Sequence, residues 1–311
     1  MSAIKLGKSD VAVQPVGFGA NAVGGHNIYG PQDEDAGKDL VKHAIDQGIT
    51  LIDTAYIYGP GRSEELIGEV VAELGVRSQV VIATKGAHRG KTTGRDIDNS
   101  PAFMRECVES SLRRLQTDYL DVFYIHLPDD KTPKYEAVGE LQRLREAGMI
   151  RAIGVSNFSV EQLLEADRDG HVDVIQNEYN LFAREPEQTL LPLCVQRAIS
   201  FIPYFPLASG LLTGKYADGR TPDASRSAYL PAFSEQCFSA NVAKVSQLAP
   251  IAQKHDCEIE HIALAWCLAM GGIDAIIPGA KNNNQLQSNL RAATVTLDED
   301  DLNAIADLFA V

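Results

Sequence analysis

Four residues carry groups whose types and spacing suit proton-coupled chemistry: Asp53, Tyr58, Lys85 and His126. Asp53 closes the apolar run LID, and Tyr58 follows in IYGPG. Lys85 closes VVIATK, and His126 closes LDVFYIH. A carboxylate, a phenol, an ammonium and an imidazole at or near successive strand ends can surround one reacting oxygen. A free phenol, with a pKa of about 10, is a weak acid, and a nearby ammonium is expected to lower that value. Asp53 can hold Lys85 in place, and His126 can donate to the substrate oxygen. Together they could protonate the alkoxide formed when hydride adds to a carbonyl. Each residue also has a plainer reading: a turn cap, a packing ring, a surface charge, a core histidine bonded to backbone. The joint placement favours the chemical reading.

The elements that must position these groups alternate along the chain. Residues 1–13 resemble a β-hairpin turning at Gly7 to Asp10, and apolar runs at 15–19, 51–53, 80–84, 120–125, 150–156, 174–179, 200–204 and 275–279 read as strands. Between them, residues 35–47, 63–74, a stretch opening at Ser100-Pro101, 133–147, a segment capped by Ser159, and a segment ending near Gln196 read as helices. Ser63 is a plausible N-cap. Helical patterning also covers 241–270, 284–291 and 298–309. Eight βα units predict an α/β fold, a (β/α)8 TIM barrel with an N-terminal β-hairpin and extra C-terminal helices, as one domain over 1–311. In such a barrel the C-terminal strand ends form one face, so the four residues converge. An open doubly wound sheet is the alternative, but GFGANAVGG after the first strand lacks the G-x-G-x-x-G spacing. The long irregular stretch 206–239 reads as a functional loop.

The net charge of −14 over 311 residues argues against nucleic acid or an anionic membrane as partner. Five cysteines without a Cys-x-x-Cys pair suit a reducing compartment. With no secretory signal pattern and no apolar stretch approaching ~20 residues, a cytoplasmic location is expected. No H-E-x-x-H motif suggests a metal, and no tyrosine has a lysine four residues on.

The run GITLIDTAYIYGPGRSEELIG resembles the aldo-keto reductase signature, and VVIATK, YIHLPD, GVSNF, QNEYNL and PLASGLLTGKY match that family in order. The resemblance implies a catalytic tetrad of Asp53, Tyr58, Lys85 and His126, with Tyr58 as general acid, and NADPH/NADP+ as cofactor, NADH being possible. It implies cofactor contacts from Gly19 and Asp53; from Ser156, Asn157 and Gln176 at the nicotinamide carboxamide; and from Tyr204 stacking on the ring. Pro206, Leu207, Ser209, Gly210, Leu211 and Lys215 would lie over the pyrophosphate, with Arg226 folding across. Gly279 and Lys281 would flank the 2′-phosphate, and Gln285 and Asn289 would meet adenine. Two departures stand out. Leu127 replaces the Trp or Arg common after the histidine, and Lys281 is a lone cation before three Asn, so NADPH preference is expected to be moderate. Tyr29, Ile57, His88 and Leu127 are candidate pocket walls by position, for a small carbonyl substrate. The same resemblance extends to potassium-channel β subunits, so a cofactor-binding regulatory protein is a second reading. A phosphate-binding barrel enzyme without nicotinamide is a third. Monomer and homo-oligomer are both open.

Overall fold

Residues 3–90, 96–222 and 230–310 are described by the computed structural model. The apolar runs form β3 (Phe18–Gly19), β4 (Leu51–Asp53), β5 (Val81–Gly86), β6 (Leu120–Ile125), β7 (Ile150–Ser156), β8 (Val174–Glu178) and β9 (Ser200–Tyr204). These seven pair in parallel, in sequence order. Before them, β1 (Ile4–Lys5) pairs antiparallel with β2 (Ala12–Val13). Helices Glu34–Asp46, Arg62–Leu74, Pro101–Leu115, Lys134–Glu146, Val160–Ala166 and Leu190–Arg197 connect successive strands. The architecture is TIM-barrel-like.

The expected eighth strand at 275–279 is not a regular strand. Its residues make isolated parallel bridges to the β3 side, Val16 with Ile276 and Gly19 with Gly279, and Ile273, just before the run, bridges Phe201 of β9. Pro278 has no N–H to give a ladder, which limits the pairing to single bridges. Gly19 is required at one of them, because a Cβ there would lie 2.7 Å from the Ile277 carbonyl oxygen. The helical patterning over 241–270 also resolves differently, into Phe238–Ser246, Ala249–Lys254 and Ile259–Ala269. Asp256 takes a left-handed φ of 50°, and Glu258 opens the last helix with a capping box to His261. The Ser159 cap forms as expected, with Gln162 completing its box.

Two apolar layers hold this frame. The larger lies between the sheet and its helices and includes Phe18, Ile52, Ile82, Phe123, Ile153 and Phe201. The smaller fills the inside: Leu51, Val81, Ala83, Val122, Tyr124, Ala152, Val174, Ile202, Ala275 and Ile277, with Leu6, Val11 and Val13 from the N-terminal pair. Successive residues of a strand face opposite ways, so the two clusters are the two faces of one sheet.

Ser63 is not an N-cap. The helix begins at Arg62 after Gly61, and Ser63 is buried, accepting from Thr54 Oγ1 at 2.8 Å and donating to Ala20 O. Beside it Glu64 is fully buried, accepting from Thr84 Oγ1 at 2.6 Å and Arg114 Nε at 2.6 Å. This pair of residues ties the helix to the back of β4 and β5. Glu64→Ala is expected to lower the unfolding free energy by about 3 kcal/mol, because Arg114 loses its buried partner. Urea denaturation measures it, and a loss under about 1 kcal/mol would show that water replaces the carboxylate.

Among the described residues no helix is long and apolar enough to cross a membrane, and no cluster of three metal-ligating side chains occurs. The five cysteines are unpaired.

Candidate active site

Each chemistry-bearing strand residue lies two positions after an inward-facing one. Asp53 follows Leu51, Lys85 follows Ala83, His126 follows Tyr124, Gln176 follows Val174, and Tyr204 follows Ile202. The period of two therefore carries the inner face upward from an apolar floor to a polar rim. Register aligns the rim: Gly19 pairs with Asp53, Lys85 with Tyr124, and Ser156 with Gln176.

At the centre, Lys85 Nζ donates to Asp53 Oδ1 at 2.5 Å and to Thr54 O at 2.8 Å. Both partners of this ion pair are buried. Burial pushes the Lys85 pKa below its ordinary value, against the opposing pull of Asp53. Lys85 Nζ lies 5.7 Å from the centre of the Tyr58 ring. The Tyr58 pKa moves up, not down as the ammonium alone would have it: burial is the main cause, with the Asp53 charge adding. Asp53 neutralises much of the field that Lys85 projects, and the low-dielectric surroundings disfavour the phenolate. Tyr58 therefore holds its proton.

His126 stands edge-on to Tyr58, with ring centres 6.5 Å apart. Burial first, then Lys85 and His88, keeps its pKa well below the usual imidazole value, so the ring is neutral. His88 is lowered by burial as well. The stability consequence has a definite sign. Below about pH 6.5 the unfolded chain protonates these imidazoles while the folded chain does not, so stability falls as pH drops through that value. The Tm of the wild type is expected to fall more steeply from about pH 6.5 to pH 5 than that of a His88→Asn/His126→Asn variant. Parallel Tm profiles would show that the rings protonate in place.

The residues expected around a cofactor fall into three groups. Ser156, Asn157, Gln176 and Tyr204 come together. Tyr204 OH donates to Asn157 Oδ1 at 2.8 Å, and Asn157 Nδ2 donates to His126 O at 3.0 Å, fixing an amide at left-handed φ 61°. Ser156 Oγ donates to Gln176 O at 2.7 Å. Gln176 does not present a free amide: its Nε2 donates to Asp53 Oδ2 at 2.9 Å. Burial and Glu178 push the Tyr204 hydroxyl up to about 12. The second group is the turn after β9. Pro206 and Leu207 lead into Ala208, Ser209 and Gly210, at φ 46°, 54° and 90°, with Leu211 buried beneath. The turn closes on itself: Ala208 N donates to Phe205 O and Gly210 N to Leu207 O, each at 2.8 Å. Lys215 Nζ sits 5.0 Å over the Tyr216 ring. Third, the helix Asn283–Arg291 is capped by Asn282, next to Gly279 and Lys281. Gln285 Oε1 accepts from Lys281 N at 2.8 Å, and Lys281 Nζ lies 4.2 Å over the Tyr29 ring. Asn289 is buried, donating to Gly279 O, so it does not share an open face with Gln285. Arg226 lies outside the described residues.

Of the pocket candidates, His88 is buried against His126, with ring centres 5.1 Å apart. Ile57 is buried. Leu127 is half-buried, its carbonyl held by Asn99 Nδ2. Tyr29 OH accepts from Asn21 Nδ2, so that ring belongs to the Lys281 side. The sequence reading missed Tyr124, a buried phenol hydrogen-bonded to Gln176. Its signal was its place two residues before His126. Its room is made by Gly154, where a Cβ would come within 2.3 Å of the ring.

The aldo/keto reductase family model matches residues 15–309. This chain belongs to that family. An aldo-keto reductase of Bacillus subtilis, YhdN, is 37% identical, over 99% of this chain and 94% of its own. The Escherichia coli NADH-specific methylglyoxal reductase is 33% identical, over 99% of this chain and 98% of its own. Among solved structures, the glycerol dehydrogenase AKR11B4 of Gluconobacter oxydans superposes with a TM-score of 0.90 at 34% identity, covering 99% of this chain and 95% of that one. As an aldo/keto reductase, the chain is an oxidoreductase of carbonyl and alcohol groups.

Proposed function

We propose that this aldo/keto reductase reduces a small aldehyde or ketone to the alcohol, reversibly, with NADPH and with Tyr58 as the general acid. The observation that carries this reading is the buried Asp53–Lys85 pair under Tyr58 and His126, above an apolar floor. The cofactor supplies hydride. Tyr58 keeps its proton until negative charge develops on the substrate oxygen, and the Lys85 ammonium then stabilises the phenolate left behind. Neutral His126 donates to the same oxygen and orients it. Asp53 and Gln176 hold Lys85 in place.

Three observations fit a nicotinamide dinucleotide. Asn157 and Ser156 form a fixed polar rim beside Tyr204. The turn at Ala208 to Gly210 follows directly on the Tyr204 rim, where the pyrophosphate would lie. Lys281 stands at the N-terminus of the helix Asn283–Arg291, where the helix dipole and the ammonium both favour an added phosphate. The E. coli relative is named NADH-specific, so the choice between the two cofactors rests on this last corner.

The test is fluorescence titration with NADPH, followed by consumption of NADPH across a carbonyl panel. Saturable binding and turnover are expected, and no fluorescence change at excess NADPH would remove the reading. Lys281→Ala is expected to weaken NADPH binding about tenfold and leave NADH unchanged. Equal weakening of both would place the phosphate elsewhere.

A further inference from the structure

We infer that Asn27 is a positioning residue for Tyr58: its side-chain amide grips the peptide groups on both sides of the phenol and so fixes where the proton is delivered. This rests on the proposed role of Tyr58 as general acid. Asn27 lies on the short helix His26–Tyr29. Its Nδ2 donates to Ile57 O at 3.0 Å, and its Oδ1 accepts from Gly59 N at 2.8 Å. The two contacts straddle residue 58. An amide suits this task, since it carries a donor and an acceptor side by side. The turn's own bonds fall on Tyr58 itself: its N donates to Ala55 O, and its O accepts from Ser63 N, each at 3.1 Å. The flanking peptide groups go to Asn27.

The element that carries Asn27 is itself anchored. Glu34 accepts from Arg62 Nε at 2.8 Å and from Arg62 Nη2 at 2.7 Å, and it bonds His26 Nε2 at 3.1 Å. His26 Nδ1 accepts from Gln32 N. The chain just before the helix lies directly on the Tyr58 turn: Gly59 has φ 65°, and a Cβ there would come within 1.9 Å of Gly24 O. Asn27 therefore holds the turn from a fixed point. Inside the site, Tyr58 meets its neighbours through ring contacts, with Lys85 Nζ 5.7 Å from the ring centre and the His126 ring edge-on at 6.5 Å. Those contacts pack the ring, and the backbone at 57–59 aims the hydroxyl. A general acid must come within about 2.6–3.2 Å of the oxygen it protonates. A displacement of about 1 Å can cost a rate of about a hundredfold.

Asn27 is exposed, so the chain folds without its amide. In Asn27→Leu, kcat for butanal reduction is expected to fall about tenfold, with KM and the NADPH dissociation constant within about twofold of wild type. Asn27→Gln, which keeps both amide groups on a longer stem, should recover part of the loss. An unchanged kcat overturns the inference. So does a fall matched by weaker NADPH binding, because Asn27 would then serve the cofactor. A residue that acts through Tyr58 has nothing to add once the phenol is gone. The rate left in Tyr58→Phe is therefore expected to stay within about twofold when Asn27→Leu is added. A further tenfold fall in the double variant overturns the inference, since the effect would be a general loosening of the site. A last readout needs no turnover. In protein carrying ring-¹³C tyrosine and no substrate, the Tyr58 signals, assigned by their loss in Tyr58→Phe, are expected to move in Asn27→Leu. Unmoved signals overturn the inference. If the wild type reduces no butanal but the Tyr58 signals move, the reductase reading fails and the positioning by Asn27 stands.

Discussion

Replacing Tyr58 with phenylalanine is expected to lower kcat for carbonyl reduction by about a thousandfold and to leave the NADPH dissociation constant within a factor of about two. The substitution removes one oxygen and keeps the ring that stands edge-on to His126. Burial and Asp53 raise the Tyr58 pKa, so the protonated phenol is the form on hand at neutral pH. His126, with its pKa held well below the ordinary value, has only its neutral N–H to offer. Lys85 is committed to Asp53 and Thr54. Stopped-flow traces of NADPH consumption, together with fluorescence titration of the cofactor, separate the two quantities. Reduction at an undiminished rate would move the proton donor to another residue. Loss of cofactor binding instead would give Tyr58 a binding role.

The second large effect is on stability. Asp53→Asn leaves Lys85 buried with neutral acceptors alone, the Asn amide oxygen and Thr54 O, and is expected to cost about 4 kcal/mol at neutral pH. The sign of its pH dependence follows from the Lys85 shift. Burial depresses the folded pKa, so below the unfolded value of 10.5 the unfolded chain binds more protons, and stability falls as pH drops towards the folded pKa. Removing the carboxylate depresses the folded value further and extends that fall to lower pH. The loss in Asp53→Asn should therefore be larger at pH 6 than at pH 9. Adding Lys85→Met is expected to restore most of the stability and none of the activity, since a pair that is absent altogether leaves no buried charge. Urea unfolding at the two pH values decides it. A double variant no more stable than Asp53→Asn would mean that the damage lies in the lost Gln176 contact and not in the stranded ammonium.

Much of the frame was legible because its signals are local. The runs at 120–125, 150–156 and 200–204 are bounded in the structure as the sequence reading placed them. The Ser159 cap is short-range chemistry that a sequence displays directly; the caps at Asn282 and Asp298 are of the same kind but were not read from it. Departures came where distant contacts decide. Residues 275–279 have the composition of a strand, yet Pro278 gives no N–H to the ladder and only isolated pairs form. Ser63 has the composition of a cap, yet its hydroxyl is drawn into contact with Thr54 and Ala20.

The candidate site divides along the same line. That Asp53, Lys85 and His126 share one face with Gln176 and Tyr204 was determined by the sequence itself, because side-chain direction along a strand repeats every two residues and needs no knowledge of the rest of the chain. What those side chains meet was decided only by the tertiary structure. Gln176 lies 123 residues from Asp53, and no local pattern announces that its amide holds the carboxylate. The direction of the Tyr58 shift is of the same kind. The ammonium's pull could be named from residue types, but burial and the neutralising Asp53 outweigh it, and both are properties of the packed interior. The unpartnered Nδ1 atoms of His88 and His126 are likewise invisible before folding, because an unmet hydrogen bond exists only once water has been excluded around it.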